Sequence, residues 1–109
     1  MEEKAALAAL SALAQTMRLR IFRVLVGAGP LGLTPGVLSA TLDLPASTLS
    51  FHLKALMQAE LVTQRRDGRS LIYRPALAQM SELLAYLSAH CCEGQPCAPM
   101  PAEAACKTC

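Results

Sequence analysis

A mainly α fold with a small β part (α+β) follows from three features of this chain. Hydrophobic residues make up 53% of it, yet there are only two Phe, two Tyr and no Trp. A core must then be built mostly from Leu and Ala, which favours helices. Two helix-like segments, "TPGVLSATL" and "ASTLSFHLKALMQA", are separated by only a few residues around "DLP". Finally, Asp67-Gly68 stands between two stretches rich in β-formers, the strongest short-range signal for a hairpin.

The elements follow in order. Residues 2 to about 12, "EEKAALAALSA", are Ala-rich with Glu at the front, where the helix dipole favours an acid. Leu7, Leu10, Ala14 and Met17 follow a roughly heptad spacing across this segment and into the next. In "QTMRLRIFRVLV", Met17, Ile21 and Leu25 recur at helical spacing, predicting a second helix that stops at the Gly- and Pro-containing "GAGPLGL". Thr34 is a candidate N-cap with Pro35 at the first helical position, so a short third helix runs to near Asp43.

A fourth helix, about Ala46 to Ala59, places Leu49, Leu53 and Leu56 on one face. At 100° per residue, Ser47, Ser50, Phe51 and Lys54 fall on the opposite face. Helices three and four form a helix-turn-helix candidate. Next comes the hairpin, "LVTQRRDGRSLIYRP", decorated by Arg65, Arg66, Arg69 and Arg74. In the last helix Leu77, Met80, Leu84, Leu87 and Cys91 make a seam spaced 3, 4, 3 and 4, suited to packing along another helix. The expected division is therefore a domain over residues 1–92 and a Cys-containing tail over 93–109.

A helix-turn-helix followed at once by a basic hairpin predicts a winged helix. Its second helix would enter the major groove of double-stranded DNA, and its wing would lie along phosphates or the minor groove. Charge distribution points the same way. The net charge is only +2, but Met17 to Pro75 carries eight basic residues against three acids. A basic middle is what a polyanion-binding surface needs. The candidate DNA-contacting residues are Ser47, Thr48, Ser50, Phe51, His52 and Lys54 on the fourth helix, with Arg66 and Arg69 near the hairpin tip. His52 borders the Leu49–Leu53 face and has packing as its rival role; Arg18, Arg20 and Arg23 are read as surface residues.

No stretch is long enough for a transmembrane span, and "MEEKAALAAL" is acidic where a signal peptide would be basic, so a cytoplasmic protein is expected. Thiols stay reduced there, and five cysteines cannot all pair within one chain.

The segments "ALAQTMRLRIFRVL" and "LPASTLSFHLKALMQAELVTQRRDGRSLIYRP", with the flanking helices, resemble the ArsR/SmtB family of metalloregulatory repressors over about residues 5 to 90. The resemblance implies a homodimer paired through its first and last helices. It also implies repression of a metal- or metalloid-resistance operon from an operator of two-fold symmetry, not an enzyme, with inducer binding weakening the grip on DNA. One departure matters. The C-x-C-x-x-C run that many arsenic-responsive members carry before the recognition helix is missing, since that region reads "LTPGVLSATL". The Asp and His pairs of zinc-sensing members are also absent, with only His90 near the end of the last helix. The thiols stand instead at Cys91, Cys92 and Cys97, within seven positions, as in a branch of arsenic-responsive members with a vicinal Cys pair and a third Cys shortly after.

Three thiolates satisfy As(III), a soft three-coordinate centre, whereas zinc wants four ligands in a tetrahedron. As(III) is therefore the expected inducer, with Sb(III) as a second candidate and no organic cofactor. Cys91 and Cys92 converge only if the helix frays there, and Gly94 and Pro96 turn the chain to deliver Cys97, which predicts a site closed within one subunit. Cys106 and Cys109 form a terminal C-x-x-C with no essential role expected, although zinc held by Cys97, Cys106, Cys109 and another thiol stays open. The alternatives are a sensor of zinc, cadmium, antimony or oxidants through the same thiols, and a small thiol enzyme or metal carrier. Four hairpin arginines argue against the carrier.

Overall fold

The computed structural model describes residues 1–89, which form five helices and one hairpin. The order is α1 (Glu3–Leu13), α2 (Thr16–Ala28), α3 (Pro35–Leu42), α4 (Ala46–Gln58), β1 (Val62–Asp67), β2 (Ser70–Pro75) and α5 (Leu77–Ser88). This is a winged helix-turn-helix, as the sequence predicts.

Side chains set the helix boundaries. At the start of α2 the Gln15 side chain accepts a hydrogen bond from the Arg18 backbone N–H at 2.8 Å. The Arg18 Nε–H reaches back to the Ala12 carbonyl at 2.8 Å, tying the end of α1 to α2. Thr34 caps α3 as expected, its Oγ1 accepting from the Val37 N–H at 3.3 Å, with Pro35 at the first turn. The connection from α3 to α4 is fixed by Asp43, which takes the left-handed conformation (φ 53°), and by the Ser39 hydroxyl, which donates to the Leu44 carbonyl. Helix α4 closes with Glu60 left-handed (φ 62°), while the Leu61 N–H bonds the Leu56 carbonyl and the Glu60 N–H that of Met57. These are the paired bonds of a Schellman ending, which turns the chain sharply out of the helix and into β1.

The core gathers Ile21 and Leu25 from α2, Leu38 from α3, Leu49, Leu53 and Leu56 from α4, and Leu61 ahead of the wing, all fully buried. Against it α1 turns an alanine stripe, Ala6, Ala9 and Ala12, and α5 turns Leu83. Leu7 and Leu10 therefore point away from the core, Leu7 being 59% exposed. On α5 the seam residues Leu84 and Leu87 are likewise 57% and 55% exposed. The apolar spacing seen in the sequence is real, but it marks the outer face of this pair of helices.

Two details depart from expectation. Asp67 pairs with Ser70, so the hairpin turns on Gly68-Arg69 and not on Asp67-Gly68. Gly68 has φ +65° and stands first in the turn, the place that a type II′ turn reserves for glycine. Helix α5 ends at Ser88 with Ala89 already extended (φ −58°, ψ 137°), and Cys91, the last residue of the expected seam, lies outside the described residues. The expected boundary at residue 92 falls outside the described residues.

The base of the wing is bolted to the body twice. The Ala76 N–H bonds the Leu61 carbonyl at 2.7 Å, and Leu33 and Tyr73 exchange hydrogen bonds of 2.9 and 2.8 Å. The second contact demands glycine at position 32. Gly32 has φ +74°, and a Cβ there would stand 2.6 Å from the Tyr73 carbonyl oxygen and 2.7 Å from Ile72 Cγ2. Gly32→Ala combines left-handed strain with overpacking, for an expected loss of about 3 kcal/mol. A melting temperature lowered by roughly 10–20 °C would register it; an unchanged melting curve would mean that the loop does not hold the wing.

Candidate nucleic-acid interface

Helix α4 separates its residues cleanly. Leu49, Leu53 and Leu56 lock it to the core, while Ser47, Ser50, Phe51 and Lys54 are exposed along the other side and Thr48 is half-buried. Pro45, the residue before the helix, gives it no side-chain cap, so its first N–H groups stay available beside the hydroxyls of Ser47 and Thr48. Such donors suit phosphate oxygens at the rim of a groove.

His52 is corrected by the structure. It lies on the inner side of α4, only 8% exposed, and its Nδ1 is buried with no hydrogen-bond partner. It is a packing residue and does not belong with the surface set. Burial, and secondarily the positive charge of Arg18, push its pKa below 6.5. The neutral imidazole is therefore the folded form, and the unfolded chain binds the proton more readily. Stability is complete above pH 6.5 and falls as the pH drops below that value toward the lowered folded-state pKa. Thermal melts from about pH 8 to about pH 5 should show this decline. His52→Gln should remove the share of it that belongs to this group, and an identical slope in the variant would refute the assignment.

The wing brings the second group of cations. Directly opposite residues of β1 and β2 share a face, so Arg65 (opposite Ile72) and Arg66 (opposite Leu71) lie on opposite faces of the ribbon. With Arg69 in the turn they surround the tip, and all three are exposed. Arg74 plays a different part. Its Nε–H donates to the Pro30 carbonyl at 2.8 Å, securing the wing to the loop after α2. Arg18 is also committed, through its bond to Ala12. Neither bond has a signature in the sequence: Arg18 reaches back across the bend between α1 and α2, and Arg74 reaches a carbonyl 44 residues away.

Of the expected DNA-facing residues, the fold thus presents Ser47, Ser50, Phe51 and Lys54 on one helix face, Thr48 at its edge, and Arg66 and Arg69 on a projecting ribbon. An α-helix with short polar side chains and a flanking cationic ribbon can read base edges and hold phosphates at once. Among the described residues no group of acids, histidines and cysteines could hold a metal ion. Cys91, Cys92 and Cys97, with His90, Cys106 and Cys109, lie outside the described residues. No helix among the described residues is long and apolar enough to cross a membrane.

Comparison with known proteins agrees with this geometry. A family model described as a helix-turn-helix domain matches residues 13–65. A curated relative, an uncharacterised helix-turn-helix transcriptional regulator of Methanocaldococcus jannaschii, is 45% identical over 51 residues, 46% of this chain. The chain spans only 13% of that relative's length. Among solved structures, a possible transcriptional regulator for arsenical resistance is 34% identical, with 73% of this chain and 83% of that one covered and a TM-score of 0.60. The homodimeric winged helix-turn-helix DNA-binding domain of a possible ArsR-family regulator from Mycobacterium bovis is 25% identical. There 84% of this chain and 85% of that fragment are covered, with a TM-score of 0.64.

Proposed function

Because this chain belongs to the ArsR family of winged helix-turn-helix transcriptional regulators, we propose that it is a homodimeric repressor of an arsenic-resistance operon, released when trivalent arsenic binds Cys91, Cys92 and Cys97. The observation that carries this reading is an exposed apolar face on α5 followed closely in sequence by three thiols. The outer leucines of α5 stand exposed in the single chain, and all three thiols follow within nine residues of its last residue, Ser88. Leu7 and Leu10 are exposed as well on α1, which packs on α5. The homodimeric relative from M. bovis and the relative named for arsenical resistance support the two halves of the reading.

Two copies paired through α1 and α5 present two α4 helices and two wings. Recognition then requires an operator of two-fold symmetry whose half-sites are about 34 Å apart, one helical turn. An ion drawing Cys91, Cys92 and Cys97 together pulls on the chain leaving the pairing helix and alters how the protomers meet. A 100-fold drop in operator affinity needs only about 2.7 kcal/mol of such coupling. Binding also displaces thiol protons, so the response to arsenic should strengthen as pH rises.

A gel-retardation assay on DNA upstream of the protein's own gene tests the reading. A sequence-selective complex that weakens steeply with salt and dissociates on adding arsenite or methylarsenite is expected. A selective complex indifferent to both would remove arsenic from the proposal while leaving the regulator. Release by zinc or cadmium at lower concentration would reassign the same thiols to another soft ion.

A further inference from the structure

All four aromatic side chains of the chain fall within the described residues, and they are used unequally. Phe22 and Tyr73 are in the core, and Tyr86 lies on the outer side of α5. Phe51 alone is set in the middle of the polar face of α4, 66% exposed, with Ser47, Ser50 and Lys54 around it. A single exposed apolar side chain is ordinary on a protein surface. This one, however, lies among the Ser47 and Ser50 hydroxyls and the Lys54 ammonium, with the Gln58 amide at the far end of the same exposed face.

The ring is also braced. It meets His52 edge-on, with ring centroids 5.6 Å apart and planes inclined at 68°. His52 is itself held in the core, so the neighbour that steadies Phe51 is fixed. A braced apolar group projecting from a recognition helix needs an apolar counterpart in the groove. The major groove has one such base feature, the C5-methyl group of thymine; its other base-specific features are hydrogen-bond donors and acceptors.

We propose that Phe51 is a specificity-determining residue that reads a thymine methyl group in each operator half-site. This rests on the operator-binding reading above. The polar residues around Phe51 position the helix and contact donors and acceptors, while the phenyl ring supplies the discrimination between thymine and the other bases at one position.

The test replaces thymine by deoxyuridine, which keeps every hydrogen-bonding group and deletes only the methyl. The full chain is first used to select a preferred duplex from a random pool, and each thymine of that duplex is then exchanged singly and in symmetric pairs. At one thymine per half-site the exchange should weaken binding about fourfold, the effect of one buried methyl, and about 15-fold when both half-sites are exchanged. Phe51→Ala, whose melting curve should match that of the unaltered chain, should bind the thymine and deoxyuridine duplexes alike at that position. A selected duplex with no methyl-sensitive thymine would overturn the inference and leave the DNA-binding reading standing. So would a methyl effect that persists in Phe51→Ala. Failure to enrich any duplex would overturn both.

Discussion

Leu84→Glu combined with Leu87→Glu should yield a folded monomer that has lost about three orders of magnitude of operator affinity. Both leucines are exposed in the single chain, and α5 is anchored to its own core by a different residue, Leu83. Surface changes of this kind cost a domain little, within about 0.5 kcal/mol. In a symmetric pair the same two positions meet their counterparts twice over, so four carboxylates would enter one apolar interface, where an unpaired charge is costly. Sedimentation should show single chains with unchanged helical content. DNA affinity then falls because one reading head no longer raises the effective concentration of the other. A double variant that stays dimeric would place the pairing surface elsewhere, with Leu7 and Leu10 on α1 the next residues to change.

The same leucines show what sequence periodicity carries and what it omits. Heptad-like spacing says which residues share a face, and Leu7 with Leu10 and Leu84 with Leu87 do share one. It does not say which face is inside when the opposite side is also apolar. On α1 the inner face is the alanine stripe Ala6, Ala9 and Ala12, and small residues let that helix lie close to its neighbours. The cap at Thr34 was legible because capping is local chemistry with a local signature. The hairpin was legible as an element but displaced by one residue, since Asp-Gly and Gly-Arg are competing two-residue turns and strand register decided between them.

Long-range geometry accounts for the rest. His52 is one residue from Leu53 and one from Phe51, so its helical angle alone leaves it on the boundary between inside and outside. In the fold, where α1 and α2 both pack against α4, His52 is buried and feels the charge of Arg18. Arg74 and Gly32 have their roles through the carbonyls of Pro30 and Tyr73, and Arg74 and Pro30 are 44 residues apart in sequence. No window along the chain reveals such partners. The exposure of Ser47, Ser50, Phe51, Lys54, Arg66 and Arg69 was legible for the opposite reason: a surface that packs on no other element is set by one helix and one hairpin alone.

The second large effect concerns the inducer. Cys91→Ser, Cys92→Ser and Cys97→Ser should each leave operator binding nearly unchanged and abolish release by arsenite. Binding to DNA is assigned to α4 and the wing, and those elements contain no cysteine. Release is assigned to a pyramidal three-sulfur site, and a hydroxyl is a hard ligand that cannot replace a thiolate toward a soft ion. Loss of one sulfur therefore removes most of the affinity and with it the coupling. Methylarsenite, with one valence already taken by carbon, requires two thiolates. One of the three variants should then still respond to methylarsenite while failing to respond to arsenite, and its identity would show which sulfur is dispensable. The readout is the inducer concentration that halves the retarded complex, measured for both compounds on all three variants. Normal release in every single variant would reject Cys91, Cys92 and Cys97 as the site, and loss of release in Cys106→Ser with Cys109→Ser would move it to the terminal C-x-x-C pair. Arsenic occupancy demonstrated at the three thiols without any change in dimer geometry or DNA affinity would break the coupling argument itself, leaving a regulator whose signal enters by another route.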